Sequence, residues 1–385
     1  MPFRCLGPEG TGVRSGGMDG NLICRIVRAA TLEPLFPLLE GCGKVWLVCD
    51  RNVWASVGSR IAAGLSGREC AVDCQGMPVT PAGRLLGVSL LDASEENKTL
   101  STVERIAGDM LGAGADRSVF VLGVGGGITT DIAGFAASVY KRGVRFAFVP
   151  TTLLAQVDAA IGGKNGVNFL SYKNMLGTIR QPEFTYIYPG PLKSLTRHAF
   201  LDGVAEMLKT FMIADAPAYC AAVERLGTSD CVSGDLSARA AEIKAGIVEQ
   251  DPEEHGLRRV LNLGHTFAHA VEKLSGGKWS HGAAVSVGMV AAARLAESLG
   301  GKVLDIYGRP FSCAAGLAGR MVSDFEAVGL PAVCPYSPGE MAEAVSKDKK
   351  ADGDGIIFIL PADVGDVRQV RLTAEQMVRA LDGRM

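Results

Sequence analysis

The chain has few of the features that mark nucleic-acid-binding, secreted or membrane proteins. Lys and Arg number 39 against 41 Asp and Glu, and the net charge of −2 offers no basic field for a nucleic acid. The N-terminal stretch contains no apolar segment of the kind that a signal peptide requires. The longest apolar stretch, around Ala283–Ala293, is interpreted as too short and too rich in small residues to span a bilayer. We therefore expect neither a nucleic acid nor a membrane as a partner.

Cysteine pairs with metal-binding or redox spacing are also missing. The ten cysteines are scattered without a C-x-x-C motif, and some of them, such as Cys49, lie within apolar strand-like runs. This pattern is typical of buried, reduced thiols. The expected location of the protein is the cytoplasm.

Length and pattern predict two domains. The 385 residues exceed the usual size of one hydrophobic core, and 48% apolar with 21% charged residues describes an ordinary globular chain. In the first half, short apolar runs alternate with helical patterns, which predicts an α/β nucleotide-binding domain with a largely parallel sheet. Strands are predicted at 44–50, 119–123 and 145–150, and helices at 53–65 and 130–140.

From about Thr196 the pattern changes to helical periodicity punctuated by Gly, Pro and Ser. We place the boundary near residue 193, with the α/β domain over 1–193 and a mostly α-helical domain over 194–385. Helices are predicted at 197–228, 235–250, 261–274, 282–299 and 316–328.

Histidine is scarce, yet three of the five histidines lie between His265 and His281. His265 and His269 are four residues apart, which places both imidazoles on one face of a helix, and His281 follows a glycine-containing loop. Nitrogens that meet at one point can hold Zn²⁺ while leaving a position open for substrate. A helix with ordinary histidines explains the same residues, so both interpretations stay open at this point.

Two further motifs suit a nucleotide and a phosphate. Gly123–Asp131 joins a strand to a helix through Gly125, Gly126 and Gly127, where backbone N–H groups could approach a pyrophosphate, although a tight turn explains the glycines equally well. Asp50 ends an early strand, where it could accept from ribose hydroxyls or form an Asx turn.

A polar stretch interrupts the apolar middle of the chain. Residues 156–168 combine an acid, paired glycines, a lysine and amides, and Lys173 with Asn174 follows. Lysine and asparagine are typical donors to phosphate oxygens, so we favour a site for a phosphate-bearing small molecule over a solvated loop. Glu206 and Lys209 are three apart on a predicted helix; the pair could be a surface ion pair, or Glu206 could complete a zinc site.

Taken together, these motifs resemble the 3-dehydroquinate synthase family, within the sugar phosphate cyclase superfamily. They appear in the family's order and cover most of residues 44–360. The motifs that carry the resemblance are 125–135, 140–143, 150–164, 173–174, 205–209, 256–258, 262–269, 281–282 and 348–350.

The resemblance implies a dehydroquinate synthase-like fold with an NAD site, a helical domain and an active site in the cleft between them. It implies Zn²⁺ on Glu206, His265 and His281, with Co²⁺ as another metal that this donor set takes, and it makes His269 a proton-transfer residue beside the metal. The implied reaction converts 3-deoxy-D-arabino-heptulosonate 7-phosphate to 3-dehydroquinate and phosphate. It proceeds by transient NAD-dependent oxidation, phosphate elimination, reduction and intramolecular aldol closure, within aromatic amino acid biosynthesis.

The remaining positions are carried over residue by residue, and Arg142 is expected to reach the substrate of a neighbouring subunit in a homodimer. The implied catalytic residues besides His269 are Asp158, Lys164, Lys209, Arg258 and Asn262, and those that bind substrate are Arg142, Asn174, Lys244 and Lys350. The implied NAD-binding residues are Asp50, Asn52, Glu95, Lys98, Gly126, Gly127, Asp131, Thr151, Thr152 and Lys173.

The chain departs from the family pattern at a few positions. His198 and Ala199 stand where the family usually has Arg-Glu, Ala283 stands where it has Glu, and Ser94 precedes Glu95 where it has Gly. Three rivals stay open: another sugar phosphate cyclase, a metal-dependent polyol or glycerol-phosphate dehydrogenase, and a non-catalytic binding protein. Paired cations at Lys244 and Arg258 favour a substrate with a carboxylate.

Overall fold

A six-stranded parallel sheet forms the first half of the fold. The computed structural model describes residues 24–67, 82–170, 172–228, 232, 234–348 and 355–381. In this part of the chain the sheet order is β1-β8-β5-β4-β2-β3, and every pairing within it is parallel. The strands of the sheet are β1 (Ile26–Arg28), β2 (Val45–Asp50), β3 (Leu85–Leu91), β4 (Phe120–Gly125), β5 (Arg145–Pro150) and β8 (Thr185–Ile187). Between β5 and β8 in the chain, β6 (Lys164–Phe169) and β7 (Tyr172–Ile179) form a separate antiparallel hairpin.

Helices cover both faces of this sheet, which is why its strands are apolar throughout rather than alternating. One face packs against α1 (Leu35–Leu39) and α2 (Ser59–Ser66), and the other against α3 (Leu100–Gly112) and α4 (Gly127–Val139). The predicted α/β architecture with a largely parallel sheet is confirmed.

The order of the strands creates a crevice at the ends of β2 and β4. These strands are neighbours, but β3 lies beyond β2 and β5 lies beyond β4, so the chain reverses its direction of travel between them. Ligands of open α/β sheets bind at such a switch point, outside the carboxyl ends of the strands. Asp50 ends β2 and Gly125 ends β4, so both predicted nucleotide motifs lie at this crevice.

The second half is mostly helical, as predicted, and buries a separate large apolar core. It also contains an antiparallel hairpin of β9 (Ile356–Asp363) and β10 (Asp366–Leu372), which the helical prediction missed. Its helices are α5 (Arg197–Ala214), α6 (Ala216–Leu226), α7 (Gly234–Gln250), α8 (His265–Leu274), α9 (His281–Leu299), α10 (Leu317–Ala327), α11 (Pro338–Asp348) and α12 (Ala374–Leu381).

Two predicted helix boundaries were wrong for local reasons. The single helix predicted over 197–228 divides at Asp215, whose carboxylate accepts from the Ala218 N–H and caps α6, with Pro217 in the first turn. The helix predicted from residue 261 begins at His265, because Gly264 adopts φ +79° after a 3₁₀ turn over Leu257–Asn262.

Helix α9 is longer than the apolar stretch that we judged too short for a membrane. By length and composition alone its 19 residues could cross a bilayer. However, 83% of its apolar window is buried inside the molecule, where it packs against α5 and α8. It is the central helix of the second core, and it is the one helix of this kind among the described residues.

Candidate metal centre and nucleotide crevice

Glu206, His265 and His281 converge on one point. One ligand atom from each lies within 4.8 Å of the others. Nε2 of His281 is 3.2 Å from Glu206 Oε1, and Nε2 of His265 is 3.7 Å from the same oxygen. The three residues come from α5, α8 and α9, and each histidine is the first residue of its helix. The structure therefore brings together the three residues that the resemblance implied as metal ligands, and His269 is not among the converging atoms.

Glycines bring the three helices close together. A Cβ on Gly282, directly after His281, would lie 2.3 Å from Asp202 Cα on α5. A Cβ on Gly288 of α9 would lie 2.3 Å from the carbonyl oxygen of Gly264, directly before His265. The spacing of the ligands therefore depends on helix contacts that a side chain would obstruct.

The outer nitrogens of both histidines are already engaged. His281 Nδ1 lies 3.0 Å from Glu272 Oε1, and His265 Nδ1 lies 3.2 Å from the carbonyl oxygen of Leu263. Such partners fix the ring orientation of metal-ligating histidines, here with both Nε2 atoms facing Glu206. Burial lowers the pKa of His265 to about 3, which keeps this ring neutral. Burial would also lower the pKa of His281, but its close contacts with the Glu206 and Glu272 carboxylates raise it to about 10.

The Glu206 carboxylate is poised to bind a cation. It is fully buried, and neither of its oxygens accepts a well-directed hydrogen bond, although Lys209 Nζ lies 2.5 Å from Oε2. Burial opposes ionisation, yet the charge of Lys209 and the histidines hold the pKa of Glu206 well below its usual range. The Glu206 carboxylate is therefore ionised, its lone pairs accept no well-directed hydrogen bond, and two imidazole nitrogens lie beside it. This arrangement fits the donor set of a catalytic zinc site. The alternative of a surface ion pair was wrong, because Lys209 is also buried.

A ladder of alternating charges extends from the metal ligands. Lys209 lies between Glu206 and Asp158, with its Nζ 3.7 Å from Asp158 Oδ1. Lys244 donates to the side chain and the backbone carbonyl of Asp158, both at 2.7 Å. Burial would raise the pKa of Asp158, but the charges of Lys244 and Lys209 lower it, so the carboxylate stays ionised. Burial lowers the pKa of Lys244.

A second charged group adjoins this ladder. Lys164 pairs with Glu254, which also accepts from Asn262 Nδ2 at 2.7 Å. The Arg258 guanidinium is buried and donates to the carbonyl oxygens of Gly162 at 2.9 Å and of residue 252 at 2.7 Å. Backbone carbonyl oxygens therefore occupy two of its nitrogens, and its catalytic role stays a prediction.

The nucleotide crevice has unpaired donors at its base. Gly126 precedes α4 without a side-chain cap, so N–H groups of the first turn are available to an anion. The hydroxyl of Thr151 is buried without a hydrogen-bond partner in the described part of the chain. A Cβ on Gly126 would lie 3.1 Å from Thr152, so the glycine leaves space there. These features suit a dinucleotide. Asp50, however, accepts from the Asn52 N–H in an Asx turn, so its ribose contact stays a prediction.

The other predicted residues lie around these two sites. His269 is exposed one turn beyond His265, with ring centroids 5.7 Å apart. Arg142 is exposed on the turn after α4 and, like Asn174, has positive φ. Lys98 Nζ lies 2.5 Å from both Asp131 Oδ2 and Asn174 Oδ1. Glu95 and Lys173 are exposed, and Lys350 lies outside the described residues.

The departures from the family pattern leave the metal ligands in place. His198 is 75% exposed and 3.9 Å from Asp202, and the N–H of Ala283 donates to Ser280 at the start of α9. Neither residue lies among the three converging ligands.

Two residues with direct contacts to this machinery, Glu254 and Glu272, escaped the sequence reasoning, and Asn168 was placed in the polar stretch 156–168 without a role of its own. Glu272 lies three residues after His269, a spacing that could have marked it as a neighbour on the same helix face. Glu254 adopts φ +63°, and no sequence pattern marked it. The contact between Asn168 and Asn174 crosses the hairpin, so this partner could not be predicted from the sequence.

Comparison with known proteins identifies the family. Residues 88–202 match the family profile "3-dehydroquinate synthase N-terminal", and residues 203–351 match "3-dehydroquinate synthase C-terminal". The chain is 41% identical to the 3-dehydroquinate synthase of Pyrococcus abyssi over 74% of this chain and 82% of the relative. It is 34% identical to that of Alkaliphilus metalliredigens over 94% and 96% of the two chains. Among solved structures, the 2-epi-5-epi-valiolone synthase of Streptomyces hygroscopicus subsp. jinggangensis with NAD⁺ and Zn²⁺ bound is similar, with a TM-score of 0.79, 27% identity and coverage of 96% and 98%.

Proposed function

Because the chain belongs to the 3-dehydroquinate synthase family of carbon–oxygen lyases, we propose that it converts 3-deoxy-D-arabino-heptulosonate 7-phosphate to 3-dehydroquinate and phosphate. The observation that carries the proposal is the convergence of Glu206, His265 and His281 next to the buried ladder of Lys209, Asp158 and Lys244. A metal-ligand set beside paired buried cations suits a polyhydroxylated anion.

Two groups are needed for this chemistry, and the chain has residues that suit each. NAD⁺ supplies a transient hydride acceptor, and a divalent metal such as Zn²⁺ supplies the charge that acidifies a substrate hydroxyl. Glu206, His265 and His281 would hold the metal. Gly126, Gly127, Thr151 and the Lys98–Asp131 pair would hold the dinucleotide at the crevice between β2 and β4.

The remaining residues bind substrate and move protons. Lys209 and Lys244, both held by Asp158, place cationic hydrogen-bond donors beside the metal ligands. Lys164 and Asn262 present further donors, at present shared by Glu254. His269, exposed one turn from His265, is the proposed carrier of protons between substrate and solvent.

Another sugar phosphate cyclase is the nearest rival, since a valiolone synthase shares the fold. Sequence identity favours the first proposal, because relatives named 3-dehydroquinate synthase are 34% to 41% identical to this chain whereas the valiolone synthase is 27% identical. A dehydrogenase would accumulate NADH, whereas a synthase regenerates NAD⁺.

We also propose a homodimer that forms through the β6–β7 hairpin. The hairpin exposes apolar side chains, whose contact with water is unfavourable. The end of β7 lies near the turn that carries Arg142, because Arg180, directly after β7, donates to the carbonyl oxygen of Ala137 on the helix before that turn. A second copy seated on this face would bring Arg142 towards the partner's site. The exposed apolar residues are Phe169, Leu170, Tyr172, Met175 and Ile179.

Subunit mixing tests this arrangement. Neither Arg142→Ala nor His269→Ala protein should turn over substrate well, but a mixture refolded together should regain activity, because one site then receives Arg142 from the other subunit. No gain on mixing, in a sample that light scattering shows to be dimeric, contradicts a role across the interface.

The division at residue 193 and a cytoplasmic location belong to the same proposal. The last strand of the parallel sheet ends at Ile187 and α5 begins at Arg197, which supports a boundary between them. All six cysteines in the described ranges are free, which supports a reducing compartment.

The decisive experiment measures phosphate release from three sugar phosphates, with NAD⁺, before and after metal removal by a chelator. The proposed substrate should release phosphate without net NADH, and the chelator should stop it. His265→Ala should lose metal, whereas His269→Ala should keep metal and lose turnover. Folded, metal-loaded protein that releases no phosphate from this substrate would overturn the proposal.

A further inference from the structure

Asn168 connects two loops that carry different parts of the proposed site. Its backbone N–H donates to the Lys98 carbonyl at 2.8 Å. Its side-chain Nδ2 donates to the Glu95 carbonyl at 3.1 Å and to the Glu95 carboxylate at 2.9 Å. Its Oδ1 accepts from the Asn174 N–H at 2.9 Å. One asparagine thus uses its backbone N–H and both ends of its amide to join residues 95–98 to the hairpin.

The two loops meet again at Lys98. The Lys98 ammonium is almost fully buried and lies 2.5 Å from Asn174 Oδ1 and 2.5 Å from Asp131 Oδ2. Asn174 itself adopts φ +54°, a left-handed conformation that needs support from its surroundings. The hydrogen bond from its N–H to Asn168 supplies that support next to the residue whose side chain meets Lys98.

We infer that Asn168 is a positioning residue that couples dinucleotide binding to sugar phosphate binding. The inference rests on the proposed function and on the roles that the family resemblance implies, in which Glu95 and Lys98 contact NAD⁺ and Asn174 contacts the substrate. Since Asn168 binds both loops, ordering either loop by a ligand orders the other, and each ligand favours the binding of the second. Such coupling is reciprocal for binding affinities.

Replacing Asn168 by alanine removes three side-chain hydrogen bonds and leaves the metal ligands untouched. We expect the dissociation constant of NAD⁺ and the KM of the sugar phosphate each to rise by about fivefold, since a net hydrogen bond is worth about 1 kcal/mol and that energy changes an equilibrium constant by about this factor. The kcat should fall by less than about threefold, and zinc content should not change. Asn97→Ala is the matched control, because the Asn97 side chain donates to the Asp92 carbonyl on the same side of the junction and does not bridge to the hairpin.

A charge exchange gives a stricter test. In Asn168→Asp the new carboxylate keeps an acceptor for the Asn174 N–H but faces the Glu95 carboxylate, so NAD⁺ binding should weaken further. Glu95→Gln supplies a donor to the new aspartate, so the double variant should bind NAD⁺ more tightly than the added effects of the two single variants predict; Glu95→Gln alone measures the loss of the Glu95 contact itself. A purely structural role would not produce this rescue, which is read as NAD⁺ affinity with and without bound sugar phosphate.

Calorimetric titration of NAD⁺ needs no turnover, so the inference and the proposed function can fail separately. Wild-type protein that binds NAD⁺ but releases no phosphate contradicts only the function. Three results would each overturn the coupling. Asn168→Ala could change the NAD⁺ dissociation constant or the KM without changing the other, Asn97→Ala could change both as much as Asn168→Ala does, or the double variant could show no rescue of NAD⁺ affinity. Asn168→Ser, expected to lie between wild type and alanine, replaces Asn168→Ala if that variant does not fold.

Discussion

Replacing Gly288 by alanine should weaken metal binding, although this residue touches no ligand. The new Cβ would lie 2.3 Å from the Gly264 carbonyl oxygen and 2.9 Å from the Ala268 nitrogen, whereas ordinary contacts begin near 3.4 Å. Both atoms are backbone, so no side chain can rotate away. Helices α8 and α9 must therefore separate by about 1 Å, and such overpacking costs about 1–3 kcal/mol.

The displacement falls directly on the metal centre. Gly264 precedes His265, while His281 begins the other helix, so separating the helices moves one ligand away from the other. Metal–ligand distances tolerate only about 0.2 Å of error. A metal that pulls the helices back together must supply the overpacking energy, so its affinity should fall about 10- to 100-fold.

Competition with a chromophoric chelator measures this affinity, and the absorption bands of bound Co²⁺ report the ligand geometry. Gly108→Ala on α3 is the matched control: no atom lies within 4 Å of its new Cβ, so it should leave both readouts unchanged and stabilise the fold by up to about 1 kcal/mol. Wild-type metal affinity and an unchanged Co²⁺ spectrum in Gly288→Ala would refute the argument that this helix contact sets the ligand spacing.

Three further predictions concern carboxylates. Glu272→Gln removes the charge that orients the ligand histidine of α9, so chelator competition should show metal affinity reduced about 10- to 100-fold. Glu254→Gln removes an anion beside Lys164, so inorganic phosphate should inhibit several-fold more strongly, whereas exposed Glu253→Gln should not alter inhibition. Asp305 accepts two backbone N–H groups and pairs with Arg309; burial would raise its pKa, but these bonds lower it. The stabilisation that ionised Asp305 supplies is therefore present at pH values above its ordinary pKa of 3.8 and is lost as the pH falls below that value. Asp305→Asn should lower the Tm at pH 7, and the difference in Tm between variant and wild type should shrink in acid.

The sequence was most informative where burial imposes one pattern. Strands β2, β4 and β5 lie between helices on both faces, so their continuous apolar runs predicted that they are strands of a largely parallel sheet, but not their order in it. Hairpin β6–β7 was missed because glycines and amides break its alternation and most of β7 is exposed. The run Ile356–Leu360 did carry a strand pattern, but the helical character assigned to the whole second half obscured it.

In the candidate site, the sequence predicted the residues with distinctive chemistry, but it did not predict the residues that orient them through hydrogen bonds. Glu206 and the two ligand histidines stand in recognisable motifs. Glu272 and Asn168 are ordinary surface-type residues in the sequence, and their importance arises only when the fold brings them to a ligand-bearing neighbour. Tertiary hydrogen bonds of this kind leave no periodicity in one sequence.

The charge of the described pocket argues for a substrate that carries a carboxylate as well as a phosphate. In the ladder that extends from Glu206 and the charged group that adjoins it, four cations exceed three carboxylates by one, and a divalent metal raises that excess to three. A phosphate dianion with one carboxylate cancels that excess, whereas a neutral-sugar phosphate leaves one positive charge uncompensated in a largely buried site. We therefore expect kcat/KM to be at least tenfold lower for a sedoheptulose or glucose phosphate than for the heptulosonate, with the ratio shrinking in Lys244→Met. Equal kcat/KM values would contradict this account. The cations are Lys164, Lys209, Lys244 and Arg258, and the carboxylates are Asp158, Glu206 and Glu254.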